Sequence, residues 1–165
     1  GGDVGSKAAL GDMSGLAAGF RAPESMVDGG NFDADKAYKD SKLCNVVTAL
    51  ELARRLQAAG KPVTSNVLNP GLIPTTGLFR ELNPIFVAVF TFLTRFVFRV
   101  AVPDEEGGRR LAYLVSSPAL NGITGGYYSG KPGVNEFKLA DVSEEAAKME
   151  TGSRLWELTE KIVAV

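Results

Sequence analysis

The clearest periodic pattern in the chain lies in residues 35–59, where Leu43, Val46, Val47, Leu50 and Ala53 recur at helical spacing among polar neighbours. This stripe predicts an amphipathic helix with Asp33 or Asp35 capping its start and Gly60 ending it. The preceding residues, 1–32, are rich in glycine and polar side chains; they predict loop, with one short helix around Met13 to Ala18. After the helix, Lys61-Pro62 leads into Val63 to Leu68, a short apolar run that reads as a buried parallel strand even though Ser65 and Asn66 interrupt it. Pro70-Gly71 stops the strand at the end where ligands approach in open α/β sheets.

The most apolar stretch, Pro84 to Val102, holds Phe86, Phe90, Phe92, Phe96 and Phe98, but Arg95 and Arg99 interrupt it too often for a membrane-spanning helix. Three readings stay open for it: a core helix, a lid over a large planar substrate, or an anchor lying in the plane of a membrane surface. Pro103 to Ser117 predicts an amphipathic helix whose first-turn acids suit the helix dipole. A short final strand is expected at Tyr127 to Ser129. A last helix is expected over Ser143 to Val163, with Ser143 as N-cap and Leu155, Leu158 and Ile162 on its apolar side.

At 165 residues and 45% hydrophobic content the chain is the size of one domain with a packed core. Its 18 basic and 19 acidic residues, for a net charge of −1, give no electrostatic case for nucleic-acid binding. With no histidine and one cysteine, nearly every zinc-type site and any intrachain disulfide are excluded.

The candidate chemistry lies at the start of the long helix, in Ala37-Tyr38-Lys39-Asp40-Ser41-Lys42-Leu43-Cys44-Asn45. Positions i and i+4 of a helix share a face, which sets the Tyr38 phenol beside the Lys42 ammonium. A fixed positive charge within about 4–6 Å favours loss of a phenolic proton, so Tyr38 reads as a general acid and Lys42 as its electrostatic partner. The spacing alone is not diagnostic. Tyr127 and Lys131 share it, yet Gly130 and Pro132 flank that lysine and predict a strand running into a turn.

The longer string from Asp28-Gly29-Gly30-Asn31-Phe32-Asp33 through Asn45 resembles the catalytic segment of the light-dependent protochlorophyllide oxidoreductases, within the short-chain dehydrogenase/reductase superfamily. The resemblance continues through Asn69-Pro70-Gly71-Leu72-Ile73-Pro74-Thr75-Thr76-Gly77-Leu78-Phe79-Arg80-Glu81, Glu105-Glu106-Gly107-Gly108-Arg109-Arg110-Leu111-Ala112 and Arg154-Leu155-Trp156-Glu157. It implies an α/β fold, the C-terminal half of a Rossmann-type sheet with few parallel strands flanked by helices. Residues 1–32 would form a loop or insertion, 33–76 the catalytic helix and cofactor loop, and 77–165 the substrate-binding and C-terminal helices.

By the same resemblance, NADPH gives a hydride to a ring double bond of protochlorophyllide in a light-driven step of chlorophyll biosynthesis. Tyr38 gives the proton, and Lys42 steadies it and holds the nicotinamide ribose. Pro70, Gly71, Ile73, Thr75 and Thr76 line the nicotinamide, the two threonines bonding its amide or the pyrophosphate; a plainer reading makes them the cap of a helix beginning near Gly77. Asn69, Leu72, Phe79 and Cys44 fall at substrate-side positions. Asn69 and Leu72 stand where many members of the family have tyrosine and cysteine. Cys44 matches a different family cysteine and has the chemistry of a small packed side chain. The resemblance also implies a plastid setting with thylakoid or envelope association, or the cytoplasm or thylakoid of a cyanobacterium, and leaves room for contact with a membrane surface and for homo-oligomers.

The glycine-rich turn that receives a dinucleotide pyrophosphate has no match here. Thr124-Gly125-Gly126-Tyr127-Tyr128-Ser129-Gly130 is a near miss, with no helical stripe in the ten residues from Lys131 to Ala140. The chain therefore reads as roughly the second half of a longer enzyme, and these 165 residues by themselves are expected to bind NADPH poorly and to be inactive. Two other functions remain open: a dark reductase of the same superfamily acting on a hydrophobic alcohol or ketone such as a retinoid, and a non-catalytic pigment- or membrane-binding relative.

Overall fold

The computed structural model of the chain describes residues 7–20, 25–75, 77–79, 82–130 and 137–163. Thr76, Arg80, Glu81 and Lys131 lie outside the described residues. The chain divides into two compact units, one formed by Gly1–Ser65 with Val142–Val165 and the other by Asn66–Asp141.

The first unit is built on helix α2, Ala34–Ala58, packed against α6, Met149–Val163. Asp33 caps α2 by accepting a hydrogen bond from the Lys36 amide, and Gly60 leaves it at φ 62°, the left-handed conformation that glycine adopts at least cost. The expected apolar stripe does the packing. Val47 is buried with Leu10, Met13, Leu16, Ala146 and Leu155, while Leu43, Cys44, Val46 and Leu158 pack against that cluster. The short helix expected near Met13 is α1, Ser14–Ala17. The last helix comes in two pieces, α5 over Glu144–Ala147 and then α6, with the Ser143 hydroxyl capping α5 through the Ala146 amide.

Where α2 meets α6, a carboxylate is buried between the helices. Glu51 accepts from Arg54 and Arg55 at 2.6 to 2.8 Å, and its carboxyl lies below the usual range because of the Arg54 hydrogen bond, with Arg55 adding to it against the opposing effect of burial. Gly152 of α6 leaves room for it, since a Cβ there would lie 3.2 Å from Glu51 Oε2.

The second unit holds a three-stranded sheet of β1 (Val67–Asn69), β2 (Tyr127–Gly130) and β3 (Phe137–Leu139), in that order. β1 and β2 are parallel, with Val67 opposite Tyr127 and Asn69 opposite Ser129. The parallel pair follows the expected α/β pattern. The antiparallel pairing of β3 on β2 was not expected, because three residues are too few to show a period. β1 is also shorter than the apolar run that predicts it. Asn66 spends its side chain on backbone groups instead, donating to the Ile123 carbonyl and accepting from the Gly126 amide, both at 2.9 Å.

The aromatic stretch forms α3, Pro84–Phe92, and continues in π-type turns over Leu93–Val97. No residue of α3 is buried, and Ile85, Phe86, Val89, Phe92 and Phe96 are all more than half exposed. Among the described residues, nothing covers this face. Thr94 is the buried residue of the π segment, and its carbonyl accepts from both Val100 and Ala101. That turns the chain, through Arg99 at φ 55°, back to pair Ala101 with Leu72. α4, Asp104–Ser116, then begins with Asp104, Glu105 and Glu106 in its first turn.

Candidate functional site

The two groups of the sequence motif meet on one face of α2. The Lys42 ammonium lies 5.2 Å from the centroid of the Tyr38 ring, a distance at which a cation is attracted to the face of an aromatic ring. Tyr38 is 46% exposed and Lys42 is also exposed, on the side of the helix away from the buried Asp40 and Val47. The Ser41 hydroxyl beside them donates back to the Tyr38 carbonyl at 2.7 Å. A phenol and a cation are thus presented to solvent, with the opposite face of the helix fixed in the core.

Cys44, on the same helix, is part of the packing. It is half-buried against the core cluster, and burial first, then the Asp40 and Glu145 carboxylates, push its thiol up to about 11. At neutral pH it is a thiol in a wall and has no nucleophilic character.

The second unit carries the loop that leaves β1. Asn69 Oδ1 accepts from the Gly71 amide at 3.0 Å, an Asx turn that shapes Pro70-Gly71 locally. Gly71 sits at φ 89°, and a Cβ there would come within 2.6 Å of Val102 Cγ2, so conformation and space both require glycine. Leu72 bonds through its backbone, accepting from the Val102 amide at 2.7 Å. Ile73 packs against Gly107 of α4, where a Cβ would lie 2.5 Å from Ile73 Cδ1. Phe79 lies in a short 3₁₀ turn, Gly77–Phe79, with its ring 5.4 Å from that of Phe90 in α3.

Thr75 has a partner that the sequence does not suggest. Its hydroxyl donates to the Asp104 carboxylate in the first turn of α4. A hydroxyl has one proton to give, so while that bond lasts the Thr75 oxygen faces a ligand as an acceptor. A cleft beside it is lined by Pro74, Thr75, Thr91, Arg95, Val102 and Asp104.

Arg110 is a second residue to which no sequence signal attaches a role. It is 4% exposed, and its Nη1 donates to the Pro70 carbonyl at 2.9 Å. The motif around it shows adjacent arginines on a helix, and only the fold tells the exposed Arg109 from the buried Arg110.

Comparison with known proteins bears on these residues. No protein-family model matches the chain. It is 44% identical over 166 residues, 99% of its length, to the protein named protochlorophyllide reductase B, chloroplastic, of Oryza sativa subsp. japonica. The corresponding protein of Hordeum vulgare is also 44% identical, and the chloroplastic protochlorophyllide reductase of Chlamydomonas reinhardtii is 42% identical, each over 99% of the chain. The chain spans about two-fifths of the length of these relatives, 40% of the rice protein and 41% of the other two. The resemblance read from the motifs thus extends along the whole chain. Among solved structures, an uncharacterized protein of Mycobacterium paratuberculosis superposes with a TM-score of 0.60 over 96% of this chain and 48% of its own. At 19% identity it shows the fold alone, a mixed α/β arrangement in keeping with part of a Rossmann-type sheet.

Proposed function

We propose that the chain supplies the proton donor and the nicotinamide-side loop of an NADPH-dependent protochlorophyllide reductase acting in chlorophyll synthesis in plastids. The observation that carries the reading is the Lys42 ammonium held over the Tyr38 ring on an open helix face, in a chain alike over 99% of its length to proteins named for that reaction. When bound, NADPH supplies a hydride. Tyr38 then delivers a proton to the neighbouring carbon, and Lys42 stabilises the charge left on the phenolic oxygen. The lysine is a compact cation with three donors, which suits ribose hydroxyls as well.

The second unit offers the complementary chemistry. At Pro70-Gly71 the missing side chain lets Val102 and Arg110 pack against the turn and fix the backbone assigned to the nicotinamide. Thr75, its proton committed to Asp104, is an acceptor suited to the N–H of the nicotinamide amide, and less suited to a pyrophosphate oxygen, which needs a donor. Thr76 is assigned to the same loop on the resemblance alone. On the substrate side, Asn69 and Leu72 take the positions of the family's tyrosine and cysteine, and Phe79 stands with the α3 aromatics.

The decisive experiment illuminates the full-length gene product with NADPH and protochlorophyllide and follows the pigment's absorption. Conversion to chlorophyllide in light, with none in darkness, is the expected result. An unchanged spectrum alongside dark reduction of a retinoid-like carbonyl would replace this reading with that of an ordinary dark reductase.

The exposed aromatic face of α3 further supports contact with a membrane surface, in keeping with thylakoid or envelope association. Among the described residues no helix is long and apolar enough to cross a membrane, so the contact proposed is in-plane, with Phe86, Val89 and Phe92 in the lipid and Arg95 beside the phosphates. Replacing Phe86 and Phe92 together by serine is expected to release the full-length protein from anionic liposomes in a flotation assay. Unchanged flotation would leave α3 to the substrate.

A further inference from the structure

The peptide unit joining Pro70 to Gly71 is gripped at both ends. Its carbonyl accepts from Arg110 Nη1 at 2.9 Å, and its N–H donates to Asn69 Oδ1 at 3.0 Å. A peptide is a rigid plane, so its soft motion is a flip of the whole unit about its flanking bonds. Such a flip is easiest next to glycine, and Gly71 is the following residue, at φ 89°. Both grips must break before this plane can turn.

Arg110 is built in for the purpose. Its Nε donates to Glu106 Oε1 at 3.1 Å, one turn earlier on α4, and its guanidinium carbon lies 5.5 Å from the centroid of the Phe137 ring on β3. Gly130, at the end of β2, makes the seat. A Cβ there would stand 2.7 Å from Nη1, 2.9 Å from Cζ and 3.0 Å from Nη2. Burying an arginine is costly unless it is paired and bonded, and an apolar side chain would fill the space more cheaply. What an apolar residue lacks is a planar fork that fixes the direction of a carbonyl.

We infer that Arg110 is a positioning residue, which, seated on Gly130 and working with Asn69, locks the Pro70–Gly71 peptide in the orientation that receives the nicotinamide half of NADPH. The inference rests on the proposal that this turn faces NADPH. It gives Asn69 a backbone task at a position assigned above to the substrate side.

The test uses the full-length gene product with three substitutions. Arg110→Lys keeps the charge and loses the fork; Gly130→Ala leaves the arginine in the sequence and unseats it; Asn69→Ala removes the opposite grip and leaves β2 alone. If the turn samples its competent orientation only one time in ten once freed, apparent NADPH affinity falls about tenfold in each variant. The fall is read directly from nicotinamide fluorescence. In the NADPH-free protein, amide exchange in the peptide covering residues 69–72 is expected to speed up, and KM for NADPH to rise more than kcat falls. Tight NADPH binding and unchanged exchange in these variants, even with a lowered Tm, would reduce Arg110 to packing and overturn the inference while leaving the proposed function standing. Failure of the unsubstituted protein to bind NADPH would overturn both.

Discussion

Replacing Tyr38 by phenylalanine is expected to slow the photoreduction proposed for the full-length protein by about 10² to 10⁴-fold, the usual contribution of a positioned general acid. The substitution takes away one hydroxyl and little else. The phenyl ring still offers its face to the Lys42 ammonium, 5.2 Å from the ring centroid. Because the side chain is 46% exposed and outside the core cluster, the midpoint of thermal unfolding should stay close to that of the parent. NADPH affinity should also hold, since Lys42, proposed to meet the ribose, remains. Lys42→Met is the complementary case, losing affinity and rate together. Single-turnover absorption after a light flash separates the proton step from product release. A Tyr38→Phe variant turning over at more than half the parent rate would remove Tyr38 from the chemistry.

Much of this site was legible in the sequence, for reasons particular to each part. The face shared by Tyr38 and Lys42 follows from helical spacing and from the stripe of Leu43, Val46, Val47, Leu50 and Ala53, because a long amphipathic helix has one orientation that buries its apolar side. The turn at Pro70-Gly71 is equally local, since only glycine fits φ 89° beside Val102. Arg110 and the Thr75 bond to Asp104 were invisible because each depends on a partner far along the chain, and neither arginine nor threonine announces its partner. β3 was missed for want of length. The aromatic stretch was ambiguous for a different reason: strong hydrophobicity says that a segment leaves water somewhere, and the core, a pigment and a lipid surface all satisfy it. Among the described residues, Ile85, Phe86 and Phe92 are left exposed.

A second large effect is expected at Asp40, two residues beyond Tyr38 and on the buried side of the same helix. Its carboxylate is 1% exposed and accepts from Lys36 Nζ at 2.6 Å and from the Ala9 amide at 2.9 Å. Lys36 in turn donates to the Ala9 carbonyl at 2.9 Å and pairs with Asp28 at 3.0 Å. One ammonium and two carboxylates thus tie both loop segments before α2 to its first turns. Asp40→Ala takes one of two carboxylates from Lys36 and leaves the Ala9 amide without its acceptor, a loss of about 1.5 to 3 kcal/mol in the free energy of unfolding. Asp40→Asn keeps an acceptor for Ala9 and should fall between. Urea unfolding of the full-length protein reads the difference, and a loss for Asp40→Ala of less than about 1 kcal/mol would show that the pair stabilises nothing net. The acid side provides a second check. Asp28 is held below its ordinary value of 3.8 by the Lys36 hydrogen bond first and by the Gly30 amide next. A depressed carboxyl stabilises the fold fully above its unfolded value, and the contribution disappears as pH falls through the folded one. The urea midpoint should therefore decline below about pH 4 in the parent and in Asp40→Ala alike, where Lys36 still faces Asp28. In Lys36→Met, which takes the cation from both carboxylates, that part of the decline should be lost.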